Sequence, residues 1–230
     1  MGKECKIGAV IVAAGSGLRF GEKKQFKVLG TKPLYLYSLK KFIDCEVVDE
    51  IVLVVPRDLQ ETVSNEISRL NPQIKVVEGG KLRQDSVLAG ITGLSANCEI
   101  VCVHDAARPF VSVDLIQKTI IACKNNDGAI AGIPSHDTVK EVNINDNRIK
   151  RTIPRAKIWL AQTPQAFHSS QLVKALSYAK ENNILVTDES TLLESLNYSM
   201  VVVEGSINNF KITTLSDWKL AELILERNND

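Results

Sequence analysis

Short apolar runs separated by amphipathic segments recur along the chain and predict alternating strands and helices. Nearly continuous apolar runs are typical of parallel strands that are buried on both faces. Five of them come before residue 134, at 7–13, 51–55, 74–77, 100–103 and 129–133. Segments with helical spacing lie between them, at 33–42, 59–70, 85–94 and 113–124. This order predicts an α/β fold with a doubly wound, mostly parallel, Rossmann-like sheet.

The pattern changes after Pro134, where alternation of apolar and polar residues replaces the buried runs. Residues 138–144 and 148–153 alternate, and the turn signal Asn145-Asp146-Asn147 separates them. We therefore predict a β-hairpin arm at about 136–156, protruding from a single domain that spans 1–230. An arm with little core of its own needs a packing partner, so we expect a homodimer with a second copy of the chain. Further helices are predicted at 171–181, 187–196 and 216–226, with a strand at 200–203.

The overall composition is that of an ordinary globular protein, and it restricts the classes of function. The 230 residues are 44% hydrophobic and 24% charged, with a formal net charge of +1. So small a net charge argues against nucleic-acid or membrane binding through bulk charge, and any basic site is local. No apolar run approaches the ~20 residues of a membrane-spanning helix. The five cysteines are irregularly spaced without a C-x-x-C pair, which favours buried thiols in a reducing, cytoplasmic compartment over a zinc site.

A glycine-rich loop follows the first predicted strand and carries the first candidate chemistry. Its glycines are spaced G-x-G-x-x-x-G from Gly15, with Gly17 as the second. Glycines let backbone N–H groups approach a phosphate closely, and Arg19 and Lys24 add fixed positive charge. The spacing is one residue too long for a dinucleotide-binding fingerprint, and Glu22 after the last glycine excludes a P-loop. The loop indicates a nucleoside triphosphate site, with an ordinary strand-to-helix turn as the alternative.

Positively charged residues follow five of the predicted strands. In open α/β sheets, ligands bind beyond the carboxyl ends of the strands. The cations that follow these strands are Arg19 with Lys24, then Arg83, Arg108, Lys140 and Lys211. Their segregation in a chain of nearly zero net charge predicts one pocket for a polyanion. Asp105 follows one of these strands as well, where a Mg²⁺ ligand beside phosphates is expected, although it could instead cap the following turn.

Other polar and aromatic residues of the chain are interpreted as structural. His104 is expected to be a satisfied core histidine, and the chain offers no histidine pair with metal-ligand spacing. Thr187-Asp188-Glu189 is typical of a helix N-cap followed by first-turn acids. Trp159 and Trp218 are expected to be core or interface aromatics. No Ser-His-Asp or paired-carboxylate signature competes with the polyanion pocket.

Short motifs in a fixed order run through nearly the whole chain. They are Ala13-Ala14-Gly15-x-Gly17-x-Arg19 with Lys24-Gln25, Gly79-Gly80 with Arg83-x-Asp85-Ser86-Val87, His104-Asp105-Ala106-Ala107-Arg108-Pro109, Asp137-Thr138-x-Lys140, Arg155, Thr163-Pro164-Gln165-x-Phe167, Thr187-Asp188-Glu189 and Asn209-x-Lys211-x-Thr213. In this order they resemble the 2-C-methyl-D-erythritol 4-phosphate cytidylyltransferases of the non-mevalonate isoprenoid pathway. The resemblance implies a nucleotidyltransferase fold.

The resemblance also implies the reaction and a role for each site residue. CTP and a sugar-alcohol phosphate would give a CDP-linked product and pyrophosphate, with Mg²⁺ as cofactor. Arg19 and Lys24 would hold the triphosphate and stabilise charge at the α-phosphorus, beside the loop glycines Gly15 and Gly17. The cytosine would be read by Ala13, Ala14, Gly80 and Ser86. The ribose, metal and phosphate region would be lined by Arg83, Asp105, Ala106 and Arg108, with Asp105 as the metal ligand. The acceptor phosphate would be bound by Thr138, Arg155 and Lys211.

Such a reaction needs no general base in the protein. The nucleophile is the acceptor phosphate, which is already ionised at neutral pH. Positioning of two anions by fixed cations and Mg²⁺ can supply the catalysis. The resemblance further implies that the arm reaches across a homodimer, so Thr138 and Arg155 could serve the site of the neighbouring subunit.

A sibling family and two other classes of protein are the alternatives. Ribitol 5-phosphate cytidylyltransferases share the fold, CTP and the arm, but tend to have A-G-G in the first loop and H-D-S-V-R-P at the metal strand. Ala13-Ala14-Gly15 and the His104 motif of this chain therefore favour the methylerythritol substrate. A non-catalytic relative is disfavoured because Arg19, Lys24 and Lys211 are all present. A nicotinamide oxidoreductase is disfavoured by the glycine spacing and by Pro56-Arg57 where an acidic residue would follow the second strand.

Overall fold

A computed structural model describes residues 6–15 and 20–227, so the predicted site residues Gly17 and Arg19 lie outside the described residues. The strands are β1 (Lys6–Val12), β2 (Val28–Leu29), β3 (Lys32–Pro33), β4 (Glu50–Val55), β5 (Lys75–Glu78), β6 (Cys98–Asp105), β7 (Gly128–Pro134), β8 (Val139–Val142), β9 (Ile149–Ile153), β10 (Trp159–His168) and β11 (Met200–Glu204). The helices are α1 (Leu34–Ile43), α2 (Gln60–Leu70), α3 (Arg83–Gly93), α4 (Val113–Lys124), α5 (Ser169–Glu181), α6 (Glu189–Ser195) and α7 (Leu215–Arg227). Across the described ranges, no helix is long and apolar enough to cross a bilayer.

Seven strands form one sheet in the order β11-β7-β10-β6-β1-β4-β5. β1 pairs in parallel with β4 and β6, and the β4–β5 and β7–β11 pairs are parallel as well. β10 is antiparallel to both of its neighbours, β6 and β7. The sheet is therefore mostly parallel, as the sequence predicts.

The two faces of the sheet bury separate cores. Val10 and Ile11 are neighbours on β1, and because successive strand residues point to opposite faces, each lies in a different core. Helices α1, α2 and α4 cover the Ile11 face, and α3, α5 and α6 cover the Val10 face. Burying each such aliphatic side chain contributes about 1.5–3 kcal/mol. Helices on both faces confirm the doubly wound arrangement.

Strand β10 lies in the middle of the sheet, and the sequence pattern did not predict it. Pro164 interrupts it and cannot donate a ladder hydrogen bond, and the β10–β7 register shifts at this point. Gln162, Thr163 and Gln165 are buried in it, so neither alternation nor a continuous apolar run marks the strand. Trp159 at its start is 43% exposed and lies outside the core.

Strands β8 and β9 form the predicted arm, a separate two-stranded antiparallel sheet. Asn147 at its turn has φ +56°, the left-handed conformation that asparagine tolerates. Val142, Ile144 and Ile149 on the arm are exposed, Ile144 by 90%. These apolar side chains are therefore not covered by the rest of their own chain.

A glycine of α3 sets how closely this helix approaches the sheet. A Cβ on Gly90 would lie 2.3 Å from Val10 Cγ1 and 2.9 Å from Val54 Cγ2. We expect Gly90→Ala to lower the free energy of unfolding by about 1–3 kcal/mol, because the core must shift to admit the methyl group. Urea denaturation measures this change.

Gly93 on the same helix provides the matched control for Gly90. Its Cβ would meet only side-chain methyl groups of Val52 and Val77, at 3.2–3.3 Å. The helix propensity of alanine, up to about 1 kcal/mol better than glycine, should offset this tighter contact. Gly93→Ala should therefore stay within about 0.5 kcal/mol of the wild type. Equal losses in the two variants would contradict this account of the α3–sheet contact.

Candidate active site

The carboxyl ends of β1, β5 and β6 surround a cavity of about 370 Å³. It is lined by Val12, Ala14, Gly15, Gln25, Gly80, Lys81, Leu82, Arg83, Ser86, Asp105, Ala107 and Lys211. Most of these residues belong to the segments that directly follow strands, where the sequence predicts a polyanion pocket. A larger groove between α1 and α2, of about 680 Å³, is lined by helix side chains and none of the predicted site residues.

Backbone hydrogen bonds extend the sheet into the cavity wall. The N–H of Ala13 donates to Val54 O at 2.7 Å, and the N–H of Ala106 donates to Val12 O at 3.0 Å. Both alanine side chains are buried, and neither residue lines the cavity, which their neighbours Ala14 and Ala107 line instead. The backbone bonds of Ala13 and Ala106 thus fix those neighbours at the cavity wall.

Gly80 and Ser86 join the β5 end to the start of α3. The N–H of Gly80 donates to Ser86 Oγ at 3.2 Å, and the Ser86 hydroxyl donates to Leu82 O at 3.1 Å. A Cβ on Gly80 would lie 2.2 Å from the Cβ of Asp85, so only glycine fits without a shift. The chain can therefore bring backbone groups close to a ligand at this point.

Four charged side chains from distant segments form one network beside the cavity. Arg83 Nε donates to Asp105 Oδ1 at 3.1 Å, and Lys211 Nζ donates to Asp105 Oδ2 at 2.7 Å. On its other side, Arg83 Nη1 donates to both carboxylate oxygens of Glu189 at 2.6 Å. Glu189 is fully buried, whereas Arg83 and Lys211 line the cavity. The network fixes two cations at the carboxyl ends of the strands.

The network holds Asp105 in its charged form. Burial alone would raise the pKa of Asp105, but the charges of Arg83, Lys211 and Arg108 outweigh it and hold the pKa well below its usual range. Burial raises the pKa of Glu189, and the charge of Arg83 opposes that rise. Asp105 is therefore an acceptor-only carboxylate at any physiological pH.

A second cavity of about 240 Å³ adjoins the first. It is lined by Arg83, Asp105, Arg108, Ala161, Gln162, Thr163, Gln165, Thr187, Asp188 and Lys211. Arg83, Asp105 and Lys211 line both cavities, so they stand at the junction between them. The arrangement offers two adjoining compartments with fixed positive charge where they meet, which suits a reaction between two anionic substrates.

Arg108 is brought to the second cavity by the loop after β6. Its Nη1 donates to Asn209 O at 2.8 Å, and its Nε is buried with no hydrogen-bond partner among the described side chains and backbone. Burial lowers the pKa of Arg108, and Asp105 opposes that shift. A buried donor without a partner is costly, which is consistent with a ligand that accepts from it.

His104 is the core histidine that the sequence predicts. Its ring is fully buried, with Nδ1 3.0 Å from Thr163 Oγ1 and Nε2 3.2 Å from Arg108 O. Because a carbonyl only accepts, Nε2 carries the hydrogen and Nδ1 accepts from the Thr163 hydroxyl. Burial lowers the pKa of His104 to about 3, so the ring stays neutral and orients the Arg108 loop.

Lys24 lies on a short 3₁₀ turn, Lys24–Phe26, that follows the glycine-rich loop. It is buried, and its Nζ is 5.8 Å from the centroid of the Phe20 ring. Its neighbour Gln25 donates from Nε2 to Gly15 O at 3.3 Å, which ties this turn to the wall of the larger cavity. Lys24 is therefore held close to the loop whose glycines predict a phosphate site.

Thr138, Lys140 and Arg155 lie on or beside the arm and line neither cavity of their own chain. Arg155 Nη1 donates to His136 O at 2.6 Å, and Lys140 Nζ donates to Thr152 Oγ1 at 2.7 Å. The prediction that all five strand ends converge is therefore wrong for Lys140, because the chain after β7 turns outward into the arm. Arg83, Arg108 and Lys211 do converge.

Sequence reasoning missed the polar lining of the second cavity. Gln162, Thr163 and Gln165 come from the unpredicted strand β10, and Asp188 was interpreted as a helix cap. Asp188 is indeed the N-cap of α6 and accepts from the N–H of Thr191 at 3.0 Å, while it also lines the cavity. The cluster of polar residues around Pro164 was the signal that could have revealed this lining.

Asp105 is the one predicted metal ligand. Within the described ranges, no three His, Cys, Asp or Glu side chains are grouped so that they could hold a metal by themselves. Mg²⁺ is commonly bound through one or two carboxylates together with substrate phosphates. A single charged carboxylate at the junction of the two cavities fits that mode, and it does not fit a metal held by the protein alone.

Comparisons with known proteins point to one family. The family model for 2-C-methyl-D-erythritol 4-phosphate cytidylyltransferase (IspD) matches residues 7–227. Proteins of this name from Clostridium botulinum (strain Langeland) and Dictyoglomus thermophilum are 42% and 39% identical over 96% of this chain, and 98% and 97% of theirs.

Two solved structures superpose closely on this fold. 4-Diphosphocytidyl-2C-methyl-D-erythritol synthase from Anaerococcus prevotii has a TM-score of 0.87 at 31% identity, over 97% of this chain and all of the other. The Francisella tularensis enzyme has a TM-score of 0.80 at 34% identity, over 95% of this chain and 99% of the other. The chain belongs to the 2-C-methyl-D-erythritol 4-phosphate cytidylyltransferase family.

Proposed function

We propose that this protein transfers the CMP group of CTP to 2-C-methyl-D-erythritol 4-phosphate, releasing pyrophosphate and forming 4-(cytidine 5′-diphospho)-2-C-methyl-D-erythritol. The observation that carries the proposal is the pair of cavities that meet at Arg83, Asp105 and Lys211. Two phosphorylated substrates can approach each other there with their negative charges facing fixed cations. The names of the relatives supply the identities of the two substrates.

The nucleotide occupies the larger cavity in this proposal. Backbone groups at Ala14 and Gly80, with the hydroxyl of Ser86, recognise the cytosine edge. Ala13 and Ala106 contribute indirectly, because their backbone hydrogen bonds extend the sheet and so position Ala14 and Ala107 at the cavity. Gly15, Gly17 and Arg19 of the loop approach the triphosphate together with Lys24, which adds a fixed positive charge.

The acceptor occupies the smaller cavity, and its phosphate lies at the junction. Arg83, Arg108 and Lys211 place that phosphate against the α-phosphorus of CTP. A phosphate oxygen of the acceptor forms a new bond to this phosphorus while the bond to the β-phosphate oxygen breaks, and pyrophosphate leaves with that electron pair. The cations stabilise the charge of the crowded transition state, and no side chain needs to remove a proton.

Asp105 would hold a divalent cation, which we propose to be Mg²⁺. When bound, the metal neutralises phosphate charge and orients the triphosphate. Asp105 remains ionised because of its three cationic neighbours, so it is available as a ligand.

The reaction is tested by measuring pyrophosphate release with CTP, Mg²⁺ and either 2-C-methyl-D-erythritol 4-phosphate or ribitol 5-phosphate. Release only with the methylerythritol compound is expected. Release only with ribitol phosphate would assign the ribitol 5-phosphate cytidylyltransferase activity instead, which the names of the relatives do not favour. No release with either acceptor would contradict the proposal.

We also propose that the protein is a cytoplasmic homodimer in which the arm supplies Thr138 and Arg155 to the neighbouring subunit's site. Both residues line neither cavity of their own chain, and the arm exposes apolar side chains. The buried thiols Cys45, Cys98 and Cys102 fit a reducing compartment.

Co-expression of Lys24→Ala and Arg155→Ala chains tests the shared site. The Arg155→Ala subunit of a mixed dimer keeps Lys24 and receives Arg155 from its partner, so one site is intact. Random pairing makes half of the dimers mixed, so activity should recover to about a quarter of wild type, although each variant alone is impaired. Mixed dimers that form but recover no activity would show that the arm serves its own chain.

A further inference from the structure

We infer that Glu189 is a positioning residue, whose buried carboxylate fixes the guanidinium of Arg83 at the junction of the two cavities. The inference deepens the proposed function and rests on it. Glu189 itself lines neither cavity, and its side chain is 1% exposed. It therefore acts on the substrates only through Arg83.

The position of Arg83 needs an anchor, because the local structure does not favour it. Arg83 is the first residue of α3, where the positive end of the helix dipole repels a cation. Two acids on separate elements overcome this repulsion, Asp105 at the end of β6 and Glu189 at the start of α6. They hold the planar guanidinium at Nε and at Nη1, so it cannot rotate freely.

The two acids are not equivalent as anchors. Asp105 divides its oxygens between Arg83 and Lys211, and the proposed metal would compete for the same carboxylate. Glu189 directs both of its oxygens to Arg83 Nη1. Within the described part of the chain, Arg83 Nη2 donates to no protein acceptor, which leaves it available to an anion in either cavity. Glu189 thus holds Arg83 even if the proposed metal draws the Asp105 carboxylate away from Arg83.

A merely structural tether between α3 and the segment before α6 is the alternative role. That tether exists without Glu189, because Gln84, the residue after Arg83, provides it. Gln84 Nε2 donates to Ile184 O at 3.1 Å, and the N–H of Val186 donates to Gln84 Oε1 at 3.4 Å. A fully buried carboxylate is a costly way to duplicate this tether. Gln84 lines neither cavity, so it provides the matched control.

The kinetic test compares Glu189→Gln with Gln84→Ala after both are normalised to the fraction of protein that binds CTP. Glu189→Gln should lower kcat by about 30-fold through misplacement of the guanidinium. Its dissociation constant for CTP should stay within about threefold, because loss of a buried negative charge does not weaken attraction of an anion. Gln84→Ala should keep kcat within about threefold. Equal kcat losses in the two variants would overturn the inference.

The double variant separates an effect through Arg83 from an independent one. Arg83→Met removes the guanidinium, so adding Glu189→Gln to it should lower kcat no further. A further drop of the same factor as in the single variant would show that Glu189 acts by another route, and would overturn the inference.

A second readout does not depend on activity. In ¹⁵N-labelled wild type, hindered rotation should give separate Nη signals for Arg83, identified by their loss in Arg83→Met. Glu189→Gln should merge them, and Gln84→Ala should not. Signals unchanged in Glu189→Gln would overturn the inference. If the wild-type protein shows this NMR pattern but releases no pyrophosphate, the proposed function is refuted, whereas the anchoring of Arg83 by Glu189 stands.

Discussion

Replacing Lys211 by methionine is expected to lower kcat by about 10²–10³-fold, the effect of losing one preorganised charge at a reacting phosphate. Lys211 lines both cavities, and its Nζ lies 2.7 Å from Asp105 Oδ2. Methionine keeps the length and apolar body of the side chain but removes the ammonium group. Asp105 retains its bond from Arg83, so the fold should persist. Steady-state kinetics with CTP and the acceptor measure the loss.

Lys118 provides a control for the removal of a lysine charge. It lies on α4, and its Nζ forms an exposed ion pair with Asp114 at 2.8 Å. Exposed pairs of this kind contribute at most about 1 kcal/mol to stability, so Lys118→Met should leave kcat and the unfolding transition nearly unchanged. A Lys211→Met enzyme with kcat within threefold of wild type would remove Lys211 from the reaction.

Replacing Lys24 by alanine is the second large effect we expect, with kcat reduced by about 10²–10³-fold. Lys24 is buried beside the glycine-rich loop, and the adjacent Gln25 bonds to Gly15 of the larger cavity. Its charge is proposed to stabilise the triphosphate during transfer. Thermal unfolding should remain a single transition, so that the loss is one of activity and not of fold.

Lys23 is the matched control, one residue earlier in the chain. Its Nζ pairs with Asp58 at 2.5 Å on the exposed surface. Lys23→Ala should keep kcat near the wild-type value, because its charge is exposed to solvent and already paired with Asp58. If both variants lost activity equally, the effect would belong to the turn as a whole. If Lys24→Ala were as active as Lys23→Ala, Lys24 would have no catalytic role.

The parts of the fold that depend on local pattern were predictable from the sequence. Strands β1, β4 and β6 each contain a continuous apolar run, because both of their faces are covered by helices. The β8–β9 arm showed the alternation and the turn residues of a hairpin. Each of these signals lies within a short stretch of residues, so it needs no knowledge of the tertiary structure.

Strand β10 shows where this reasoning fails. The side-chain amide nitrogens of its buried Gln162 and Gln165 donate to partners that are distant in sequence, Ser206 O and Asp188 Oδ2. A polar strand of this kind has no pattern of its own, since its stability comes from contacts that only the folded chain creates. The lining of the smaller cavity was missed for the same reason.

The active-site network was predictable only in part. The rule that ligands bind beyond the strand ends placed Arg83, Asp105 and Lys211 near one another correctly. Glu189 was interpreted as a first-turn acid of α6, which it is, but its bond to Arg83 joins residues 106 positions apart. Helix-capping patterns describe neighbours along the chain, so they cannot reveal a partner on another element.

A crystal structure with the bound product 4-(cytidine 5′-diphospho)-2-C-methyl-D-erythritol would show whether the reaction takes place where the two cavities meet. A reaction at that junction predicts cytosine beside Gly80 and Ser86, the diphosphate within hydrogen-bond distance of Arg83 or Lys211, and the methylerythritol chain beside Gln162 and Asp188. Product bound elsewhere, such as in the groove between α1 and α2, or a diphosphate remote from Arg83 and Lys211, would contradict it.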